Sequence, residues 1–281
     1  MGGIVILLDN NQLVIANLFQ ALKYDPEINE DMVRTLILNT YRMYRSKFSD
    51  KYGEIVICHD GGRYWRKDIF PHYKASRSKA QKASSVDWDR IHEVMNMIYD
   101  EVVVNFPYKN IKIRSIEADD IIAVLCERHH QDENIVIVSN DKDFQQLQKY
   151  PTVQQFSPTK KEFLVCEDPE EFLTYHILKG DSSDGIPNIL SDDDVFVDPE
   201  KRQKPCGTKR ISQMKENLSE WTCTDNWERN QTLIDFNMIP EIIKETIIEE
   251  YEKEPIGNRG NILNYFIDKK LKNLMVNIEE F

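Results

Sequence analysis

A mainly parallel α/β sheet flanked by helices is the fold this 281-residue chain predicts, and three observations predict it. Short aliphatic runs recur at Ile4–Leu8, Ile55–Cys58, Ile111–Ile113 and Ile135–Val138. Near-continuous apolar runs of that length are what strands covered on both faces require. Between them lie longer stretches with apolar residues at helical spacing, and alternation of the two patterns predicts βαβ units. Acidic residues then follow the runs: Asp9, Asp60, and Asp141-Lys142-Asp143. Open α/β sheets bind ligands beyond the carboxyl ends of their strands.

In chain order, Asp9 ends the first strand, and Gln12–Leu22 and Asp31–Phe48 are expected helices. In the second of these, Met32, Leu36, Asn39 and Met43 form one row, flanked by Val33, Ile37 and Tyr44. Ile55–Cys58 is the second strand. Residues 61–86 are polar, basic and serine-rich, a long loop of the kind that carries function. Trp88–Tyr99 returns to helical spacing, with Ile91, Val94, Met95 and Ile98 on one face. A strand at Ile111–Ile113, a helix at Asp119–Arg128, a strand at Ile135–Val138 and a helix at Asp143–Lys149 follow. Val153–Phe156 and Phe163–Val165 make a terminal hairpin, and Pro169–Leu178 is a helix with proline in its first turn. Residues 191–207, with Asp192-Asp193-Asp194 and two prolines, are expected to be an exposed, mobile loop. From Thr208 onward three or four helices are expected, notably Pro240–Tyr251 and Asn261–Asn273, with Gly257 and Gly260 between them.

Composition narrows the function. A net charge of −12 argues against attraction to nucleic acid over the whole surface. Between Arg63 and Lys82, however, seven basic residues stand against the single acid Asp68. The five cysteines are dispersed without a C-x-x-C pair, which suits a reducing compartment and excludes a zinc framework. No apolar run approaches the roughly 20 residues of a membrane span, and Met1-Gly2-Gly3 opens neither a secretory signal nor a myristoylation pattern, since Ile6 stands where Ser or Thr is needed.

The acids carry the chemistry. Besides Asp9, Asp60, Asp141 and Asp143, two clusters stand out, Glu117-Ala118-Asp119-Asp120 and Asp181-Ser182-Ser183-Asp184. On a helix Glu117 and Asp120 share a face and Asp119 is offset from them. Any one of these acids could be a helix cap, worth about 0.3–1 kcal/mol through the macrodipole. Convergence of all of them is different, because each close carboxylate pair repels by up to roughly 4 kcal/mol at an effective dielectric near 20. Cations must hold such a cluster. The donors are all oxygens, with no His or Cys among them, which favours Mg²⁺ or Mn²⁺ over zinc. The calcium-loop spacing is missing, as is a G-x-x-x-x-G-K-[ST] phosphate loop. Two magnesium ions about 4 Å apart suit phosphodiester hydrolysis, which then needs no side-chain nucleophile. In the basic stretch Arg63, Arg66, Lys67, Lys74, Arg77, Lys79 and Lys82 interleave with Tyr64, Trp65 and Tyr73. Basic groups neutralise phosphates and aromatic faces stack on unpaired bases.

These residues resemble a family. Leu8-Asp9, His59-Asp60-Gly61, Tyr64-Trp65-Arg66-Lys67-Asp68, Tyr73-Lys74, Glu117-Ala118-Asp119-Asp120, Ser139-Asn140-Asp141-Lys142-Asp143-Phe144 and Lys179-Gly180-Asp181-Ser182-Ser183-Asp184 resemble the motifs of the structure-specific 5′-nucleases, the flap endonuclease family, with its T-even phage branch the nearest likeness. The final Ile278-Glu279-Glu280-Phe281 is similar to that branch as well. The resemblance implies a PIN-like nuclease core over residues 1–187 with a helical arch at about 62–100. It also implies a helical DNA-binding region over 188–281 with an insertion at 191–207. It implies first-metal ligands at Asp9, Asp60, Glu117, Asp119 and Asp141, a second-metal group of Asp143, Asp181 and Asp184, and Asp120 between the sets. Lys74 and Arg77 match arch-base residues that contact the scissile phosphate, and Asp9, Asp60, Asp119 and Asp141 join them as catalytic. Arg63, Tyr64, Arg66, Lys67, Tyr73, Lys79, Lys82 and Lys209 are expected to bind nucleic acid.

One departure concerns the G-x-x-G-I-G hairpin found in many relatives. Here Gly185-Ile186-Pro187-Asn188 leads into the acidic insertion, and only Gly207-Thr208-Lys209 matches the end of such a hairpin. The implied activity is 5′→3′ exonuclease and flap endonuclease cleavage that removes RNA primers or displaced 5′ strands during DNA replication. The implied substrates are DNA and RNA/DNA duplexes with free or flapped 5′ ends. A monomer in the cytoplasm, without membrane contact and with a single-stranded-DNA-binding protein as partner, is the accompanying expectation. A PIN-type endoribonuclease would be roughly half this size, and a non-catalytic nucleic-acid-binding scaffold would not keep acids that repel phosphate.

Overall fold

The computed structural model describes residues 5–24 and 27–281, without the side chains of residues 78–80 and 82. Ile4, expected in the first strand, lies outside the described residues. The chain runs β1 (Val5–Asp9), α1 (Asn10–Leu22), α2 (Glu30–Tyr52), β2 (Glu54–His59), α3 (Arg66–Ile69), α4 (Ala75–Ala83), α5 (Trp88–Asn105), β3 (Lys109–Lys112), α6 (Ala118–His129) and β4 (Ile135–Val138). A 3-10 segment (Lys142–Lys149), β5 (Val153–Ser157), β6 (Glu162–Leu164) and α7 (Pro169–Lys179) complete the first part. Helices α8 (Thr208–Glu216), α9 (Leu218–Trp221), α10 (Asp225–Ile234), α11 (Glu241–Glu252), α12 (Arg259–Asp268) and α13 (Lys272–Met275) follow.

The six strands lie in the order β3-β2-β1-β4-β5-β6, with only the β5–β6 pair antiparallel. From β1 the chain winds outward through β2 to β3, then crosses back to β4. The point where the winding reverses lies between β1 and β4, where such sheets open a crevice beyond their carboxyl ends. Register puts Asp9 beside Cys58 and Leu8 beside Val138, so Asp9, Asp60 and Asp141 emerge near one another at that crevice.

Strand alternation builds the two layers. Ile6 and Leu8 face a core completed by α1, α2, α5, α12 and the terminal Phe281, while Val5 and Leu7 face one completed by α6 and α11. A third cluster joins Phe70 and Tyr73 to α7, α8 and α10. Residues 188–281 contribute to all three cores.

Several expectations change. Residues 61–86 contain the helices α3 and α4 rather than a continuous loop. The segment 142–149 is 3-10 rather than α-helical. In α2 the row through Val33, Ile37 and Tyr44 is buried, whereas Met43 is exposed. The insertion 191–207 has no helix or strand but is pinned. Ser191, Val195 and Cys206 are buried, Lys201 pairs with Asp194 at 2.7 Å, and Asn188 donates from its backbone N–H to Gln203 Oε1 and from its side-chain amide to the Lys204 carbonyl. The carboxy-terminal part holds six α-helices instead of three or four, because α9 and α13 are single turns too short to show periodicity.

Candidate active site and metal centre

The crevice is built from helix starts. Asp9 caps α1, its Oδ1 accepting from Gln12 N, while its Oδ2 accepts from Ser139 Oγ at 2.8 Å. Asp60 accepts from Asn11 Nδ2 at 2.8 Å and from Ala118 N, in the first turn of α6, at 3.0 Å. Gly61 makes that seat possible, since a Cβ there would lie 1.6 Å from the Ile113 carbonyl oxygen. Asp141 caps the 3-10 segment by accepting from Asp143 N at 2.9 Å.

Asp9, Asp60, Asp119 and Asp141 line one cavity of about 520 Å³, together with Tyr64, Lys67, Lys74 and Arg77. Burial first, and then the charges of Asp60 and Asp141, push the Asp9 carboxyl up to about 7 against the opposing Ser139 hydrogen bond. Burial followed by Asp141 and Asp9 pushes Asp119 well above the ordinary range. These four acids have too few cations of their own.

The other two acids of the Glu117-Ala118-Asp119-Asp120 run face away. Glu117 and Asp120 form the capping box of α6. Arg66 reaches both at 2.8 Å, Trp65 Nε1 donates to Asp120 at 2.9 Å, and Glu117 also accepts from Lys74 and Tyr73. Although burial works the other way, Lys74 and Arg66 hold Glu117 below the usual carboxylate range. Glu117 is 1% exposed and Asp120 fully buried. Both were expected as metal ligands; here Arg66 and Lys74 pair with Glu117, and Arg66 pairs with Asp120. Arg66 and Tyr73, expected on the nucleic-acid surface, are likewise buried. Their polar groups are committed: Arg66 also donates to Leu233 O at 2.9 Å, and the Tyr73 hydroxyl to Asp184 at 3.2 Å.

Beyond the quartet lies a second cluster. Asp143, His176 and Asp181 each offer one ligand atom, all within 4.8 Å of one another. His176, which the expectation did not place with the acids, sits mid-helix in α7 among residues that read as an ordinary amphipathic pattern, and here it lies beside Asp143 and Asp181. Burial, with Asp141 and Asp181 adding to it against His176, pushes Asp143 up to about 7. Burial would raise Asp181 too, but His176, Lys142 and Ser183 hold it low. Asp184, expected beside Asp181, turns instead to Arg77 at 2.5 Å and Lys74 at 3.5 Å.

The remaining expected contacts sort by exposure. Tyr64, Lys67, Lys74 and Arg77 reach the cavity. Arg63 is exposed and pairs with Asp68 at 2.6 Å, and Lys209 is exposed in the first turn of α8. Lys79 and Lys82 lie on α4, and the side chain of Lys82, like that of Lys79, is outside the described part. Gln12, Asn11 and His92 also line the cavity without having been expected there. Gln12 follows Asp9 by one helical turn, a spacing that could have revealed it. Lys74 itself is held in the left-handed region (φ 54°), with its N–H on Asp184 O at 2.7 Å. Gly185, at φ 73°, lets that strand of backbone pass, since a Cβ there would press on the His72 carbonyl at 3.0 Å.

A divalent cation fits these donors. The quartet is all oxygen, burial and then the neighbouring carboxylates raise Asp9 and Asp119, and Asp143 Oδ1 is buried without a hydrogen-bond partner.

Residues 4–174 match the family described as "5'-3' exonuclease, N-terminal resolvase-like domain", and residues 168–281 match "T4 RNase H, C terminal". The Ribonuclease H of Enterobacteria phage T4 is 32% identical over 99% of this chain and 95% of its own. A 5'-3' exonuclease of Buchnera aphidicola is 32% identical over 56% of this chain and 53% of its own. Among solved structures, a phage T5 protein co-crystallised with metal ions superposes with a TM-score of 0.61 at 18% identity, over 88% of this chain and 99% of that one. A T5 flap endonuclease in a pseudo-enzyme–product complex with DNA and metal ions gives 0.60 at 16% identity, over 99% of each chain. With two family domains covering residues 4–281 and a full-length relative at 32% identity, the chain belongs to the 5′-nuclease family of 5′–3′ exonucleases, flap endonucleases and phage ribonuclease H.

Proposed function

We propose that this 5′-nuclease hydrolyses phosphodiesters with two magnesium ions, acting on DNA and RNA/DNA duplexes with free or flapped 5′ ends and removing RNA primers or displaced strands during replication. The observation that carries the reading is the quartet Asp9, Asp60, Asp119 and Asp141 in one cavity with Lys74 and Arg77. The quartet would hold one ion and Asp143 with Asp181 the other. Bound there, the ions would supply Lewis acidity toward the phosphodiester and acidify a water. Manganese would substitute, having the same oxygen preference.

The chain's own residues do the positioning. Ser139, Asn11 and the Ala118 N–H fix the rotamers of Asp9 and Asp60, so ligand geometry exists before substrate arrives. Lys74 and Arg77 bring positive charge to the cavity where the scissile phosphate would gain negative charge, and Tyr64 offers a ring beside Lys74 for an unpaired base. The reading extends to a cytoplasmic monomer working beside a single-stranded-DNA-binding protein, for which family membership is the support; no described helix is long and apolar enough to cross a membrane.

Cleavage of a 5′-flap substrate under single-turnover conditions tests the reading. Activity with Mg²⁺ or Mn²⁺ and none in excess chelator is expected, and undiminished cleavage in chelator would overturn the metal assignment. Lys74→Ala should lower the single-turnover rate by orders of magnitude while flap affinity changes only a few-fold, as for a group acting mainly in the transition state. A rate defect explained wholly by weaker binding would make Lys74 an ordinary phosphate contact.

A further inference from the structure

We infer that His176 is a nitrogen ligand of the second metal position, and that it tunes this position toward Mn²⁺ and other nitrogen-accepting divalent ions at the expense of Mg²⁺. The inference rests on the two-metal reading and adds to it a donor of another chemical kind. His176 is 3% exposed, on α7, between two acids: its Nδ1 lies 3.4 Å from Asp143 Oδ1 and its Nε2 3.2 Å from Asp181 Oδ2. Neither His176 Nδ1 nor Asp143 Oδ1 has a hydrogen-bond partner, although both are buried. Buried polar atoms are paired in the great majority of cases, and an exception calls for an explanation such as strain, a catalytic role or a bound water or ion.

The side chain of Lys142 shows where a cation sits. Its ammonium lies 2.8 Å from Asp181 Oδ2 and 3.2 Å from His176 Nε2. The ammonium thus occupies the place between the ring nitrogen and the Asp181 oxygen that a metal ion would take. Lys142 is half-exposed and can swing outward when a divalent ion displaces it. One ring nitrogen and one oxygen from each aspartate already lie within 4.8 Å of one another. Ligands about 2.0–2.2 Å from one ion, as Mg²⁺–oxygen and metal–imidazole bonds are, span up to about 4.4 Å, so a small inward shift closes the set. A single imidazole among carboxylates leaves Mg²⁺ with a poorer donor than oxygen, whereas later divalent ions accept it.

The full-length protein, loaded with Mn²⁺, tests this by pulsed electron paramagnetic resonance and by calorimetric titration. Two ions are expected to bind, one with nitrogen coupling from an imidazole. His176→Asn should abolish that coupling and weaken the second Mn²⁺ about tenfold or more, the scale of losses around metal sites, with Mg²⁺ affinity changed less than about threefold. Circular dichroism and the thermal midpoint confirm that the variant is folded, and Lys142→Ala should conversely tighten Mn²⁺ binding. Nitrogen coupling that persists in His176→Asn, or Mn²⁺ and Mg²⁺ affinities that fall alike, overturns the assignment in favour of a packing role. Two bound ions without nitrogen coupling in the unaltered protein overturn it as well, leaving the two-metal reading intact. Fewer than two ions overturns both.

Discussion

Asp119 and Asp120 are neighbours in sequence with opposite fates. Asp119 faces a cavity in which Asp9, Asp60 and Asp141 surround it with like charge, whereas Asp120 and Glu117 turn to a buried arginine and lysine. One helical turn thus divides two electrostatic regimes. On one side the fold supplies its own cations, and on the other it crowds the carboxylates together. The lesson is that an acidic motif is not one unit: roughly half of it orients the other half.

Asp9→Asn probes the uncompensated side and should have the largest effect, a loss of single-turnover cleavage by orders of magnitude. Stability should move the other way. The Asp9 carboxyl, near 7 when folded and 3.8 in the reference state, binds its proton more tightly in the folded chain. Its contribution is therefore favourable below about pH 4 and lost as pH rises through 7. In chelator, Asp9→Asn should be more stable than the unaltered protein at pH 8 and lose that advantage by pH 4, as read by urea denaturation. A variant less stable at pH 8 would mean that the carboxylate is compensated after all.

Arg66→Met probes the compensated side. Leaving Glu117 and Asp120 buried without their guanidinium should cost about 3–5 kcal/mol, measured by the same denaturation, whereas a loss under 1 kcal/mol would place Arg66 among ordinary surface cations. Cleavage should fall only as far as α6 loosens. The smallest effect belongs to Asp192→Asn in the insertion, where the carboxylate is mostly exposed and 3.9 Å from Lys201. Stability within about 0.5 kcal/mol and cleavage within twofold are expected, and a loss comparable with Asp9→Asn would extend the site to the insertion.

How much of this the sequence carried depends on whether a residue's partner is local. The strands were readable because Ile135–Val138 and its counterparts are uninterrupted apolar runs, and the placing of Asp9, Asp60 and Asp141 at one crevice was readable because each lies at or just beyond the end of such a run. Helical geometry offset Asp119 from Glu117 and Asp120, yet all three were expected as ligands, because the cations that pair with the latter two come from elsewhere in the sequence. Arg66 was not readable: in sequence it is one more cation in a basic stretch, and only the approach of α6 and the end of α10 makes it internal. Helix α4, Ala75–Ala83, lacks any apolar periodicity and so read as loop. The insertion looked mobile because its anchors, Asn188 to Lys204 and Lys201 to Asp194, are side-chain contacts within an irregular backbone.

The bond from Arg66 to the Leu233 carbonyl sets an order of events during synthesis. Arg66, Glu117 and Asp120 leave the ribosome early, but the acceptor that completes the guanidinium's coordination is made more than a hundred residues after Asp120. At roughly 5–20 residues per second that interval is about 5–20 s. During it the acidic helix start stands without its final brace, and α12 with Phe281 has yet to close the core behind β1. A nascent nuclease thus completes the brace behind its acidic helix start only once Leu233 has been made, well after the acids themselves.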